Sequence, residues 1–401
     1  MAADNVLTTL AVAALLVLAG CPGGPTSGPD GTTASRPQAT DTGESVGSGV
    51  TVENGTLPVN ATRTFTRVQA LTDTDADPWP VRVWNLSERH VGQVGASPLN
   101  RALGFRNVST DRSEPTGVTN AGAVYIHPGD GAPAQTERVL AHEYAHLVQY
   151  RTAMLPWRGQ LREPRLTTDR LKARRSLVEG GAVFVADAYT ERYLDIRSNS
   201  AYAHALYRNG SATHRSALAP YVFGSQYVDH RIDDPANLSA AYERYPRTTE
   251  QVIHNYSRAD EPPASLDVTA GAGSGDWAYL GNNTLGEMTT RSALDTELDR
   301  DRAASAAAGW GNDRLTIYRH ATDEERDGWA WVLRWDSASE AAELDAALST
   351  YADARDSDSP RTFRVEPIDE ETVALVFGDP AFVERATVSG TDGNVRVGVG
   401  A

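Results

Sequence analysis

One cysteine, Cys21, occurs in 401 residues, so no disulfide can close within the chain and no other thiol is available for chemistry. Lysine is nearly missing as well: Lys172 stands alone among 37 basic residues, while 53 acids bring the formal net charge to -16. A surface this acidic repels phosphate groups, and no nucleic-acid partner is expected. In concentrated salt its self-repulsion is screened over roughly 3 Å at 1 M, which points to a salt-loving source. A GC-rich genome that writes Arg for Lys would explain the lysine count but not the acid excess. Long apolar runs are also scarce. The longest, residues 6–20, has 15 residues, short for a membrane span and suited to the apolar core of an export signal. No repeat of fixed period is present.

That run ends in Leu18-Ala19-Gly20-Cys21, which resembles the lipobox of exported lipoproteins. Residues 1–21 are therefore expected to be a signal peptide, with Cys21 lipidated and anchoring the chain on the outer face of the cell membrane. Met1 to Asn5 depart from the pattern, carrying Asp4 and no Lys or Arg. Residues 22–50, rich in Gly, Pro, Ser and Thr, cannot bury enough apolar surface to fold and are expected to be a disordered tether. Asn-x-Ser/Thr sequons at Asn54, Asn60, Asn85, Asn107, Asn209, Asn237, Asn255 and Asn282 agree with an exported, N-glycosylated protein.

The remainder reads as α+β. Residues 123–127 form a short strand closed by Pro128-Gly129-Asp130-Gly131. A helix follows from residue 134 or 135 to 154, with Leu140, Tyr144, Leu147 and Val148 on one face. A second helix is expected over residues 168–194 and a third over 220–232, the latter with Tyr221, Phe223, Tyr227 and Val228. Towards the C-terminus, strands at 314–320 and 329–335, a helix at 338–354 and strands at 361–366 and 372–377 give a ββαββ order.

The informative motif is His142-Glu143-Tyr144-Ala145-His146. Histidines four apart on a helix project from one face and can hold one metal ion, and the intervening glutamate faces the same cavity. A catalytic zinc site also needs a third protein ligand and an open position for water. Glu179, 33 residues past His146 on the next helix, is the best candidate; the alternative is an exposed carboxylate paired with Arg175. Gly180-Gly181 costs roughly 1 kcal/mol of helix propensity per glycine, which makes sense where another helix approaches closely.

Ala141-His142-Glu143-Tyr144-Ala145-His146-Leu147-Val148-Gln149 with Leu177-Val178-Glu179-Gly180-Gly181-Ala182 resembles the gluzincin metallopeptidases. More closely, the chain is similar to haloarchaeal lipid-anchored surface proteins with a zincin-like domain. Further segments of the resemblance are residues 221–225, 246–254, 285–287 and 307–314. It implies a zincin-like lobe with the active-site helix beside a short sheet at residues 51–270, a C-terminal α+β region at 271–390 and a tail at 391–401. It also implies Zn2+ held by His142, His146 and Glu179. Where thermolysin-like members carry an aspartate four residues after the ligand glutamate, this chain has Val183. Asp187 and Asp169 are candidate replacements, and Tyr221, Tyr227, His230 and His254 are candidates for the group that steadies an oxyanion.

The expected function is hydrolysis of a peptide or protein substrate by zinc-activated water, with Glu143 as general base. The alternative is a zincin-fold surface protein without useful turnover that acts as a binding module; a lipid-anchored solute receptor ranks last, since it does not call for His-Glu-x-x-His.

Overall fold

The computed structural model describes residues 49–84, 97–108, 113–120, 122–157, 166–271 and 275–400. Cys21, the expected signal, nearly all of the expected tether and the sequon at Asn85 lie outside the described residues.

The chain is an α+β protein. Its first part opens with β1 (Val52–Glu53) and α1 (Ala61–Thr72), whose start is capped by Asn60 accepting from the Arg63 N–H. Then come β2 (Val81–Val83), α2 (Pro98–Ala102), β3 (Thr116–Asn120) and β4 (Ala123–His127). These strands form a sheet of order β1-β2-β4-β3, in which β3 is the antiparallel outer strand. Next is α3 (Pro133–Arg151), packed on β3 and β4. The sequence suggests a one-faced amphipathic helix there, but every residue from Thr136 to Gln149 is buried. The sheet, α1 and the following helix cover α3 on several sides, so its polar residues become interior groups that need partners.

That following helix is α4 (Thr168–Tyr193), capped by Thr167, and after it run α5 (Asn199–Asn209), capped by Ser198, and α6 (Ala212–Asp229), capped by Ser211. Pro220 was the natural place to begin α6 from sequence; instead it lies inside the helix. The Ser211 cap and the burial of Leu218, Ala219, Tyr221 and Val222 outweigh the one backbone hydrogen bond that a proline forfeits. Where α4 and α6 cross, Gly180 faces Gly224, and a methyl group on either would strike the other helix's backbone. The paired glycines therefore serve the close approach expected of them. Short helices α7 (Ala240–Glu243) and α8 (Thr249–Ile253) complete this part.

The second part comprises β5 (Asp267–Ala270), β6 (Trp277–Asn283), α9 (Glu287–Leu294), α10 (Arg300–Ala307), β7 (Trp310–His320), β8 (Asp323–Trp335) and α11 (Ala338–Asp358). It ends with β9 (Thr362–Asp369), β10 (Thr372–Gly378), α12 (Pro380–Arg385), β11 (Ala386–Thr391) and β12 (Asn394–Val399). The ββαββ order is present, with β6 added, as an antiparallel sheet β6-β7-β8-β10-β9. Side chains alternate across it. Leu315, Trp329, Trp331, Leu333, Leu375 and Phe377 join α11 in one core, while Tyr318, Ala330, Val332, Ala374 and Val376 face Phe382 and the β11-β12-β5 sheet in another.

Two expected boundaries change. Residues 391–401 are not a tail, since β12 pairs with both β11 and β5 and buries Val395, Val397 and Val399. The first part does not end cleanly at residue 270 either: β5 belongs to the second part's small sheet, and Ala102, Leu103 and Phe105 lie in the α11 core. Strand pairing and core membership are long-range, which composition along the chain does not report. Among the described residues no helix is long and apolar enough to cross a membrane.

Candidate metal centre

α3 brings His142 and His146 to one side, and α4 sets Glu179 against them. Glu179 Oε2 lies 3.6 Å from His142 Nε2 and 3.3 Å from His146 Nε2. Ligand atoms about 2.0–2.1 Å from a tetrahedral zinc stand about 3.3–3.4 Å apart, so these spacings fit a small tetrahedral cation with little adjustment. His142 Nε2 and Glu179 Oε2 are buried with no hydrogen-bond partner, a costly state for two polar atoms unless a further group lies between them. His142 is 1% and His146 8% exposed, so both imidazoles are buried.

The far nitrogen of each imidazole is held. His142 Nδ1 is 2.9 Å from Asn199 Oδ1, and His146 Nδ1 is 2.9 Å from Gln149 Oε1. An amide oxygen only accepts, so each Nδ1 carries a proton and Nε2 is the nitrogen that faces Glu179. Gln149 is fixed in turn by donating to the Val178 carbonyl and the Tyr242 hydroxyl, both at 2.8 Å. Gly181 leaves the space that the Tyr242 hydroxyl fills.

Burial alone would raise the Glu179 carboxyl, but the two imidazoles facing it and the charge of nearby Arg175 hold it well below the usual range. Arg175 Nε sits 3.4 Å from Glu179 Oε1, so the pairing weighed against a ligand role exists alongside it, on the carboxylate's other oxygen. His146 shows the converse. Burial works to lower it, and the Glu179 carboxylate pushes it up to about 9. The same field favours any cation in that position.

Glu143 faces the centre from beside the ligands and is 1% exposed. Thr119 on β3 donates its hydroxyl to Glu143 Oε2 at 2.8 Å. A Cβ on Gly117, also on β3, would lie 2.5 Å from Glu143 Cγ, so the strand needs glycine there to admit the base. Burial raises the Glu143 carboxyl, with His146, His142 and the Thr119 bond acting against it.

Of the four oxyanion candidates, one is at the centre. The Tyr221 ring stacks on His142 at 6.2 Å between centroids, and Arg175 Nη2 donates to its hydroxyl at 3.4 Å. Burial and the Glu179 charge raise this phenol well above its ordinary value, so it keeps its proton. Tyr227 lies under Arg231, His230 caps the end of α6, and His254 pairs with Glu287 at 3.0 Å, all apart from the ligands. Asp187 does not touch a histidine; it accepts from the Ser200 N–H at 3.0 Å and steadies the start of α5, where Asn199 sits. Asp169 is elsewhere, accepting from the Thr249 N–H and hydroxyl at 2.8 and 2.6 Å.

Asn199 and Gln149 were not singled out in the sequence. Gln149, three residues after His146 on the same helix face, carried a usable signal; Asn199 carried none. The segments at 246–254, 285–287 and 307–314 form a structural joint. Asp313, fully buried, accepts from the Leu285 and Gly286 N–H groups at 2.8 Å and from the Trp310 and Trp331 indoles at 3.1 and 2.9 Å.

A cleft of about 510 Å³ is lined by Trp79, Thr119, Tyr150, Leu155, Trp157 and Val178, beside the centre rather than over it, since neither the three ligands nor Glu143 line it. Residues 278–394 match the family model of a domain of unknown function, DUF8575. That match covers under a third of the chain and none of the three candidate ligands. No curated protein and no solved structure matches the chain.

Proposed function

We propose that this chain is a zinc-dependent peptidase of zincin-like, gluzincin type, with His142, His146 and Glu179 holding the ion and Glu143 as general base. One observation carries the reading: three donor atoms converge, Glu179 Oε2 lying 3.6 and 3.3 Å from the two Nε2 atoms, and two of the three are buried without hydrogen-bond partners. Zinc, when bound, supplies Lewis acidity toward a carbonyl oxygen and toward water. The Glu143 carboxylate is the group that takes a proton from water and returns it to the leaving amine. Burial favours the neutral carboxylic acid, which helps Glu143 hold that proton between the two transfers. Tyr221, kept protonated beside His142, is the donor best situated to steady negative charge on the substrate oxygen. The aromatic cleft next to Thr119 suits an apolar substrate side chain. The lipobox at Cys21 supports an exported, membrane-anchored location on sequence grounds.

The test is metal analysis of the full-length chain in high salt, with Glu143→Gln beside it and a quenched fluorescent peptide library as substrate. One zinc per chain in both proteins is expected, with cleavage slowed at least about 10²-fold in the variant. Absence of stoichiometric zinc, or equal cleavage by both, removes the proposal. Zinc in both with cleavage by neither favours the binding module.

A further inference from the structure

A second group of acids lies away from the three-ligand centre, at the seam between the two parts of the chain. Glu250 on α8, Glu261 in the loop after it and Asp336 between β8 and α11 place one carboxylate oxygen each within 4.8 Å of one another. Glu250 is 3% exposed, yet among the described residues no donor and no arginine meets its carboxylate. Neither Glu261 nor Asp336 has a side-chain ion pair. The neighbouring buried acid is treated differently: Glu287 is matched by His254 at 3.0 Å and Arg291 at 3.1 Å. In a chain with 37 basic residues, three converging carboxylates with no cation among them are an unfilled charge. Two bonds fix the segments that carry them. Gln251 Nε2 donates to the Glu261 carbonyl at 2.6 Å, and the Asp336 N–H donates to the Gly309 carbonyl at 3.0 Å.

We propose that Glu250, Glu261 and Asp336 bind a calcium ion that ties α8 to the turn between β8 and α11. An all-oxygen donor set selects a hard cation. Calcium accepts irregular, partly solvated oxygen coordination, whereas magnesium demands a near-ideal octahedron, so one buried, one half-buried and one exposed carboxylate suit calcium. Asp336 is exposed, which leaves coordination positions for water. Burial, followed by the other acids, pushes Glu250 up to about 10 and Asp336 up to about 6, as expected of a group that takes up either a proton or a metal ion.

The experiment is calcium titration of the zinc-loaded full-length chain, read by calorimetry and by melting temperature, with Glu250→Gln and Asp336→Asn alongside. One calcium per chain is expected, with a melting temperature raised by about 5 °C at saturation. Each variant should bind calcium at least tenfold more weakly, keep its zinc and, without calcium, melt no lower than the parent. No calcium-dependent shift in the parent would mean that the site holds a proton instead and would overturn the proposal. So would a shift that survives Asp336→Asn undiminished. Zinc content and peptide cleavage are read separately, so failure here is distinct from failure of the peptidase reading.

Discussion

Asp313 and Glu179 are both interior carboxylates, one in each part of the chain, and their surroundings are opposite. Asp313 is met by four neutral donors, two backbone N–H groups and two indoles, that together satisfy both its oxygens. Glu179 has Arg175 on one oxygen and two imidazoles facing the other, which is left without a hydrogen-bond partner. Their acidities follow. Asp313 stays raised by burial despite its four bonds, whereas Glu179 is drawn well below the usual range by the imidazoles facing it and the charge of Arg175. Neutral dipoles complete a carboxylate's hydrogen bonding without replacing the lost solvation of its charge; cations do both. A saturated buried acid is thus a joint in the fold, and one with an oxygen held open towards other ligands is a site.

The contrast breaks if the two prove interchangeable. Asp313→Ala strands four buried N–H groups and is expected to lower stability by about 3–5 kcal/mol in urea unfolding. Glu179→Ala, measured without metal, leaves Arg175 without its carboxylate and should cost less than Asp313→Ala, about 1–3 kcal/mol, while stoichiometric zinc binding disappears. Gly117→Ala probes the base. The added methyl, 2.5 Å from Glu143 Cγ, should displace the carboxylate and lower turnover on the order of 10²-fold, with zinc content and melting temperature nearly unchanged. Asn199→Ala removes the acceptor on His142 Nδ1 and is expected to weaken zinc by about 10 to 100-fold in competition with a chelator.

The smallest effect concerns Asp169, a third buried acid, which burial pushes up to about 7 despite two bonds from Thr249. Its folded value lies above the ordinary aspartate value of 3.8, so the folded state holds the proton more tightly. Its contribution is fully present below about pH 4 and is lost as pH rises through about 7. Unfolding free energies measured at pH 4.5 and 7 should show a decline of up to about 1 kcal/mol per pH unit from this group, absent in Asp169→Asn.

Much of the candidate site could be read before any coordinates. The spacing of His142 and His146 fixed a shared helix face, and Gly180-Gly181 announced a close helix crossing that Gly224 supplies. The groups holding the histidines could not be read in the same way. Asn199 lies 57 residues from His142, and no local pattern links an amide at the start of one helix to an imidazole on another. In place of the carboxylate expected near position 183, amides hold both imidazoles. Likewise α6 began at Ser211 rather than Pro220 because a cap and tertiary burial prevailed over a local breaker.

The sequence by itself determined the α+β class, most helix and strand spans and the identity of four residues at the centre, because these depend on periodicity and short spacing. It also set the acid excess. Only the tertiary structure decided that the last strand closes a sheet with β5, that Asp313 clamps the second part, and that Asn199 and Gln149 orient the imidazoles. It alone left Glu179 Oε2 and Glu250 without partners. Each of these is a relation between residues far apart in the chain, set by which surfaces pack together and by which buried polar atoms then find partners.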